Sequence, residues 1–198
     1  MKGEEKLIST EREIINLIQN DERMMGILHA AGSLHLPDWW ICAGFVRSKI
    51  WDELHGFKER TETPDVDVIY FNESNLEKET EKRMESALHD MLPEVPWSVK
   101  NEARMHVVND ISPYESTEDA ISKFPETATA LGVKLDSNQD LILTAPWGLD
   151  DVLNMEVRPT PYFNETQQRA VIYEERILKK NWKALWPEIK VYHTSWKP

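Results

Sequence analysis

Apolar residues recur along this chain at two spacings, and each spacing predicts a different kind of element. Ile14, Ile15, Leu17 and Ile18 make one helical face after Ser9-Thr10-Glu11-Arg12-Glu13, where Thr10 and Glu13 have the spacing of a capping box. Asp21 caps a second helix carrying Met24, Met25, Ile27 and Leu28, and Leu36-Pro37-Asp38 ends it. These two helices read as a lid packed across a sheet. Trp39-Trp40-Ile41-Cys42-Ala43 is a first strand; Ile50, Trp51 and Leu54 then return to helical spacing, and Gly56 suits the helix end. In Asp65-Val66-Asp67-Val68-Ile69-Tyr70-Phe71 the period is two. Val66, Val68 and Tyr70 share one face; Asp65, Asp67, Ile69 and Phe71 share the other.

Further along, Asn72 to Met91 reads as a long charged helix with Leu76, Met84, Leu88 and Met91 buried and Glu77, Glu79 and Glu81 solvated. Trp97 to Asn101 is a third strand. Ser116-Thr117-Glu118-Asp119 starts a helix that Phe124-Pro125 stops, and Glu126 to Leu131 adds a turn or two. Val133-Lys134-Leu135 and Leu141 to Thr144 flank a polar turn, which predicts a hairpin. Phe163 to Trp182 is the last long helix, with Val171, Ile172, Ile177 and Leu178 packing, and Trp182, Leu185 and Trp186 extend that contact. The polar segment from Lys58 to Thr63 is a surface loop placed to close over whatever binds beside it.

The chemistry gathers at two of these elements. Asp65 and Asp67 stand roughly 6–7 Å apart on one strand face. Two anions held that close beside a core repel each other and lose hydration. A divalent cation relieves both costs, and Mg²⁺ fits because it takes few protein carboxylates and fills its shell with water and phosphate oxygens; Mn²⁺ is its natural substitute. The bland alternative is a strand entrance where both acids face water. Upstream, Gly44-Phe45-Val46-Arg47-Ser48 turns the first strand into a helix. A glycine there admits close ligand approach, and the helix start offers free N–H groups to phosphate.

These stretches, with Trp51-Asp52, Leu54-His55-Gly56, Asn101 to His106, Ala145 to Asp151 and Val157-Arg158-Pro159, resemble the small bacterial nucleotidyltransferase-like proteins of the DNA polymerase beta superfamily. The resemblance runs from the first strand onward and implies an α+β fold, a mixed sheet packed with helices. It implies a magnesium-dependent transfer of a nucleoside monophosphate from a nucleoside triphosphate to an acceptor hydroxyl, with Asp65 and Asp67 holding the metal. It places the β and γ phosphates at the Gly44 turn, with Arg47 and Ser48 as side-chain contacts. The superfamily has a third carboxylate on the strand beside the pair; here Glu102, Asn101, or one of Asp150 and Asp151 stands in, or the site is weakened. Arg104 is either a triphosphate clamp or half of a buried ion pair. The superfamily also has Ser or a second Gly after the first glycine, where this chain has Phe45. A nucleotide- or partner-binding protein without turnover is the alternative, and a structural interaction protein with exposed tryptophans is a third.

The chain has 198 residues, 40% hydrophobic residues and eight Trp, which suits one packed domain over 1–198 with N-terminal helices (about 4–34) and a C-terminal helix (about 163–186) on its core. Cys42 is the one cysteine, so a disulfide framework is excluded. The net charge of −12 argues against broad nucleic-acid binding. A basic run of Arg176, Lys179, Lys180, Lys183, Lys190 and Lys197 reverses the sign locally; it reads as a solvated helix end or as an approach for a polyanion. No apolar leader or membrane span is visible, so the expectation is a cytoplasmic protein.

Overall fold

The computed structural model describes residues 8–109 and 111–196. The first residues of the expected 4–34 helical region, and Lys197 of the basic run, lie outside the described residues. The centre is a five-stranded mixed sheet. It comprises β1 (Trp40–Cys42), β2 (Val66–Tyr70), β3 (Trp97–Asn101), β4 (Gly132–Leu135) and β5 (Leu141–Thr144), in the order β3-β2-β1-β4-β5. β2 and β3 run parallel, and the other pairs are antiparallel. The hairpin is formed as expected: Asp136 accepts the Asn138 and Asp140 N–H groups and closes the turn between β4 and β5.

The alternation along β2 divides the core in two. Val66, Val68 and Tyr70 join the large cluster, while Ile69 joins a smaller one with Trp40, Cys42, Ile121 and Ala130. Ile14 and Ile18 of α1 (Glu11–Gln19) and Met24 and Leu28 of α2 (Glu22–Ser33) are fully buried in the large cluster. The capping box is present, with Glu13 N–H donating to Thr10 and the Glu13 carboxylate accepting the Thr10 N–H. These helices are core, packed on the sheet.

Three expectations are corrected. The long helix starts later, as α4 (Lys78–Met91), because Asn72 and Asn75 accept the Ser74 and Glu77 N–H groups and hold the chain in Asx turns. Leu76 is therefore exposed, Met91 is exposed, and Glu81 is buried. The last helix breaks at Asn181, whose left-handed backbone separates α9 (Gln167–Lys180) from α10 (Trp182–Leu185). On α9 the buried face is Ala170 and Tyr173, whereas Val171, Ile172 and Leu178 are exposed. The remaining short helices are α5 (Glu102–Asn109), α6 (Thr117–Ser122), α7 (Asp150–Leu153) and α8 (Pro161–Asn164). A 3₁₀ turn spans Thr127–Thr129, and β6 (Glu156–Val157) pairs in parallel with β7 (Lys190–Val191). Among the described residues no helix is long and apolar enough to cross a membrane.

Candidate active site

The site begins where β1 turns into α3 (Gly44–Leu54). Ala43 sits at φ 55°, ψ −118°, a conformation that costs about 1–3 kcal/mol for a residue with a side chain. Its N–H bond to Leu131 O (3.1 Å) holds it there, and its own carbonyl accepts from Val46 and Arg47 N–H. The Gly44 and Phe45 N–H groups have no partner among the described residues, as the first turn of a helix requires. A Cβ on Gly44 would meet nothing closer than 3.8 Å. The protein's own packing therefore does not demand glycine, and its small size leaves the turn open. Phe45 does not obstruct it, because its ring is 5% exposed and belongs to the large core cluster.

The turn opens into a cleft of about 200 Å³ that also contains Asp65 and Asp67. Register places Asp67 between Cys42 of β1 and Ser98 of β3. Loss of hydration, and then the charge of Asp65, push the Asp67 carboxyl up to about 6, against a hydrogen bond from Ser98 and the cations Lys180 and Lys100. Neither aspartate has an ion-pair partner among the described residues. Glu102, the first residue of α5, is buried, and desolvation followed by the charge of Asp67 raises it to about 7. Cys42 is fully buried, and burial pushes its thiol well up. Among the described residues no three acidic, histidine or cysteine side chains are gathered as a metal cage. The donor set that fits a hard divalent cation is the Asp65–Asp67 pair, with water and phosphate oxygens completing the shell.

Arg47 lines the same cleft at 6% exposure. Its guanidinium lies 4.4–5.1 Å from the rings of Trp51, Trp182 and Trp186 and donates to Ser48 Oγ at 3.1 Å. Its Nε is buried without a partner. Burial lowers its pKa to about 10. The 58–63 loop runs beside the cleft, which Glu62 and Thr63 line, and is anchored by its neighbours. Asp52 accepts Thr61 N–H and Oγ–H (2.8 and 2.6 Å), and Arg60 pairs with Asp21.

Other expected site residues lie elsewhere. Asn101 accepts the Asn72 and Ala103 N–H groups and donates to the Asn72 and Asn75 carbonyls, so it fastens the loop after β2. Arg104 forms a two-pronged ion pair with Glu81 at 2.9 and 2.8 Å. Asp151 binds Thr127 and Arg158. Asp150 is exposed at the start of α7, and α7 supports α3 through the Trp51 Nε1 bond to Val152 O at 2.9 Å. None of these four lines the cleft. Sequence reasoning missed Arg176, Lys180, Trp182 and Trp186, which do line it. The reversal of charge near Arg176 was the only signal of the two cations.

A family model described as Nucleotidyltransferase matches residues 29–191. Comparison with curated proteins found no match. A solved structure described as revealing a CCA-adding enzyme head domain is similar over 96% of this chain and 99% of that one, with 35% identity and a TM-score of 0.86. A CCA-adding enzyme with CTP is 11% identical over 93% of this chain and 44% of its own, with a TM-score of 0.57. The Thermotoga maritima CCA-adding enzyme complexed with tRNA is 13% identical over 93% and 42%, with a TM-score of 0.55. This chain therefore spans less than half the length of those two enzymes, and the likeness to them is one of fold.

Proposed function

This chain belongs to the nucleotidyltransferase family, and from that premise we propose that it moves a nucleoside monophosphate from a nucleoside triphosphate to an acceptor hydroxyl with the help of Mg²⁺. The observation that carries this reading is the meeting, in one cleft, of two unpaired aspartates and the open start of α3. CCA-adding enzymes of the same fold are seen with CTP and with ATP, which supports a nucleoside triphosphate as donor.

Asp65 and Asp67 would hold the ion. Bound there, it would neutralise charge on the transferring phosphate and lower the pKa of the acceptor hydroxyl. The chain's own residues position and stabilise. The Gly44 and Phe45 N–H groups and the positive end of the α3 dipole face the phosphates. Ser48, 2% exposed and fixed by Arg47, offers a hydroxyl beside them. No covalent nucleophile is needed, since phosphoryl transfer proceeds largely through positioning and electrostatics. A nucleotide-binding protein without turnover is the second reading, favoured by the lack of a third metal-binding side chain among the described residues.

The test is a calorimetric titration with ATP, CTP, GTP and UTP, with and without Mg²⁺, on the native chain and on Asp65→Asn/Asp67→Asn. Metal-dependent binding of at least one nucleotide, lost in the double variant, is the expected result. No binding in any condition overturns the proposal. Pyrophosphate release in the presence of candidate acceptors separates transferase from binder.

A further inference from the structure

Outside the family's strand and turn motifs, α9 brings two more cations to the cleft. Arg176 and Lys180 stand one helical turn apart, and both line it beside Arg47. The cations come from the helices α3 and α9, whereas the acids Glu62, Asp65 and Asp67 come from the 58–65 segment and β2. We infer that Arg47, Arg176 and Lys180 form a polyphosphate subsite, in which the C-terminal helix selects a triphosphate over a monophosphate. The inference rests on the cleft being the nucleotide site, and it adds the residues that read the length of the phosphate chain.

Each cation has bonding capacity to spare. Arg176 is oriented by one bond, from its Nε to Glu126 Oε1 at 2.6 Å, and Glu126 is fully buried and also accepts from Thr129 at 2.7 Å. The two terminal nitrogens of Arg176 make no hydrogen bond among the described residues, and its side chain is 34% exposed. Lys180 has no ion pair among the described residues, yet it is near enough to Asp67 to favour that carboxylate's ionised form. Arg47 lies over three tryptophan rings with its Nε unpartnered. Among the described residues Glu126 is the one buried carboxylate bonded to any of the three. Three cations with unused donors, in a molecule of net charge −12, suit a ligand with several phosphate oxygens. A tripolyphosphate offers these donors more oxygens and more charge than a single phosphate does.

Inorganic tripolyphosphate and inorganic phosphate, without metal, probe the subsite directly. Calorimetry on the native chain, Lys180→Gln, Arg176→Gln and the exposed control Lys179→Gln should give tripolyphosphate affinity at least tenfold above that of phosphate. Lys180→Gln and Arg176→Gln should each lower that affinity about tenfold, while Lys179→Gln stays within twofold. If Arg176→Gln fails to fold because Glu126 is left unpaired, Lys180→Gln decides alone. Equal affinity for the two anions, or tripolyphosphate affinity unchanged in Lys180→Gln, overturns the inference. Nucleotide turnover is read separately on the same variants. Turnover by the native chain with an unchanged KM in Lys180→Gln keeps the transferase and removes the subsite. Tripolyphosphate binding lost in Lys180→Gln, with no turnover by the native chain, keeps the subsite and removes the transferase.

Discussion

Asp67 and Glu102 ionise against the same two penalties, lost hydration and a neighbouring carboxylate, and the consequence is a pH dependence with a definite sign. Their folded values lie near 6 and near 7, against ordinary values of 3.8 and 4.5. Between about pH 4 and pH 7 the folded protein holds protons that the unfolded chain has already released. Stability therefore falls as pH rises through that window. Glu13, Asp21, Glu156 and Glu174 are shifted down by hydrogen bonds and cations, and act with the opposite sign at lower pH. Metal-free protein should be most stable near pH 5. With a chelator present, thermal melts should lose several degrees from pH 5 to pH 8, and the loss should be smaller in Asp67→Asn. Parallel slopes in the two proteins would mean that Asp67 is not the titrating group. Adding Mg²⁺ should restore stability mainly above pH 6, where the carboxylates are ionised and bind it.

At the scale of elements, α3 is the piece that assembles the cleft. Asp52 on its inner face is buried and accepts three hydrogen bonds, two from Thr61 of the 58–65 segment and one from Trp186 Nε1 at 2.8 Å. One carboxylate thus ties the segment entering the Asp65–Asp67 strand to the turn that follows α10. Asp52→Ala leaves these donors unsatisfied and should cost on the order of 2–4 kcal/mol. Hydrogen exchange at the Thr61 amide should quicken more than at β2 amides; unchanged protection there would show that the segment is held by something else. Local features of this kind explain what the sequence made legible. The capping box, the β4–β5 turn and the face pattern of β2 depend on residues a few positions apart. Asp65 and Asp67 stood out for the same reason. Glu81 was misread as solvated because its partners, the Asn101 N–H and Arg104, come from β3 and α5. Asn101 looked like a site residue because most of the bonds that occupy it are tertiary, and of the two readings open for Arg104 the ion pair is the one formed, with Glu81. Arg176 and Lys180 were missed for the converse reason: they reach the cleft that holds Asp67 only after more than a hundred residues of intervening chain have folded.

Considered as a whole molecule, the chain carries 35 acidic against 23 basic residues, and its C-terminal basic run does not survive folding as one surface. Arg176 and Lys180 line the cleft, Lys190 faces Glu156 at 3.7 Å, and Lys179 and Lys183 remain exposed. Affinity for a nucleic-acid backbone grows with the number of phosphates neutralised. Three cleft cations neutralise the oxygens of one triphosphate and leave little for a polymer, while the surrounding acids repel it. The chain should therefore bind tRNA no more tightly than roughly 10 µM at physiological salt, near the usual non-specific range. Fluorescence anisotropy with labelled tRNA checks this. Addition of saturating tripolyphosphate separates the sources of any signal, since binding confined to the cleft is competed away and binding elsewhere is not. Submicromolar affinity that survives the competitor would place an RNA acceptor on a surface away from the cleft. Weak, fully competed binding would direct the search for the acceptor to small hydroxyl compounds.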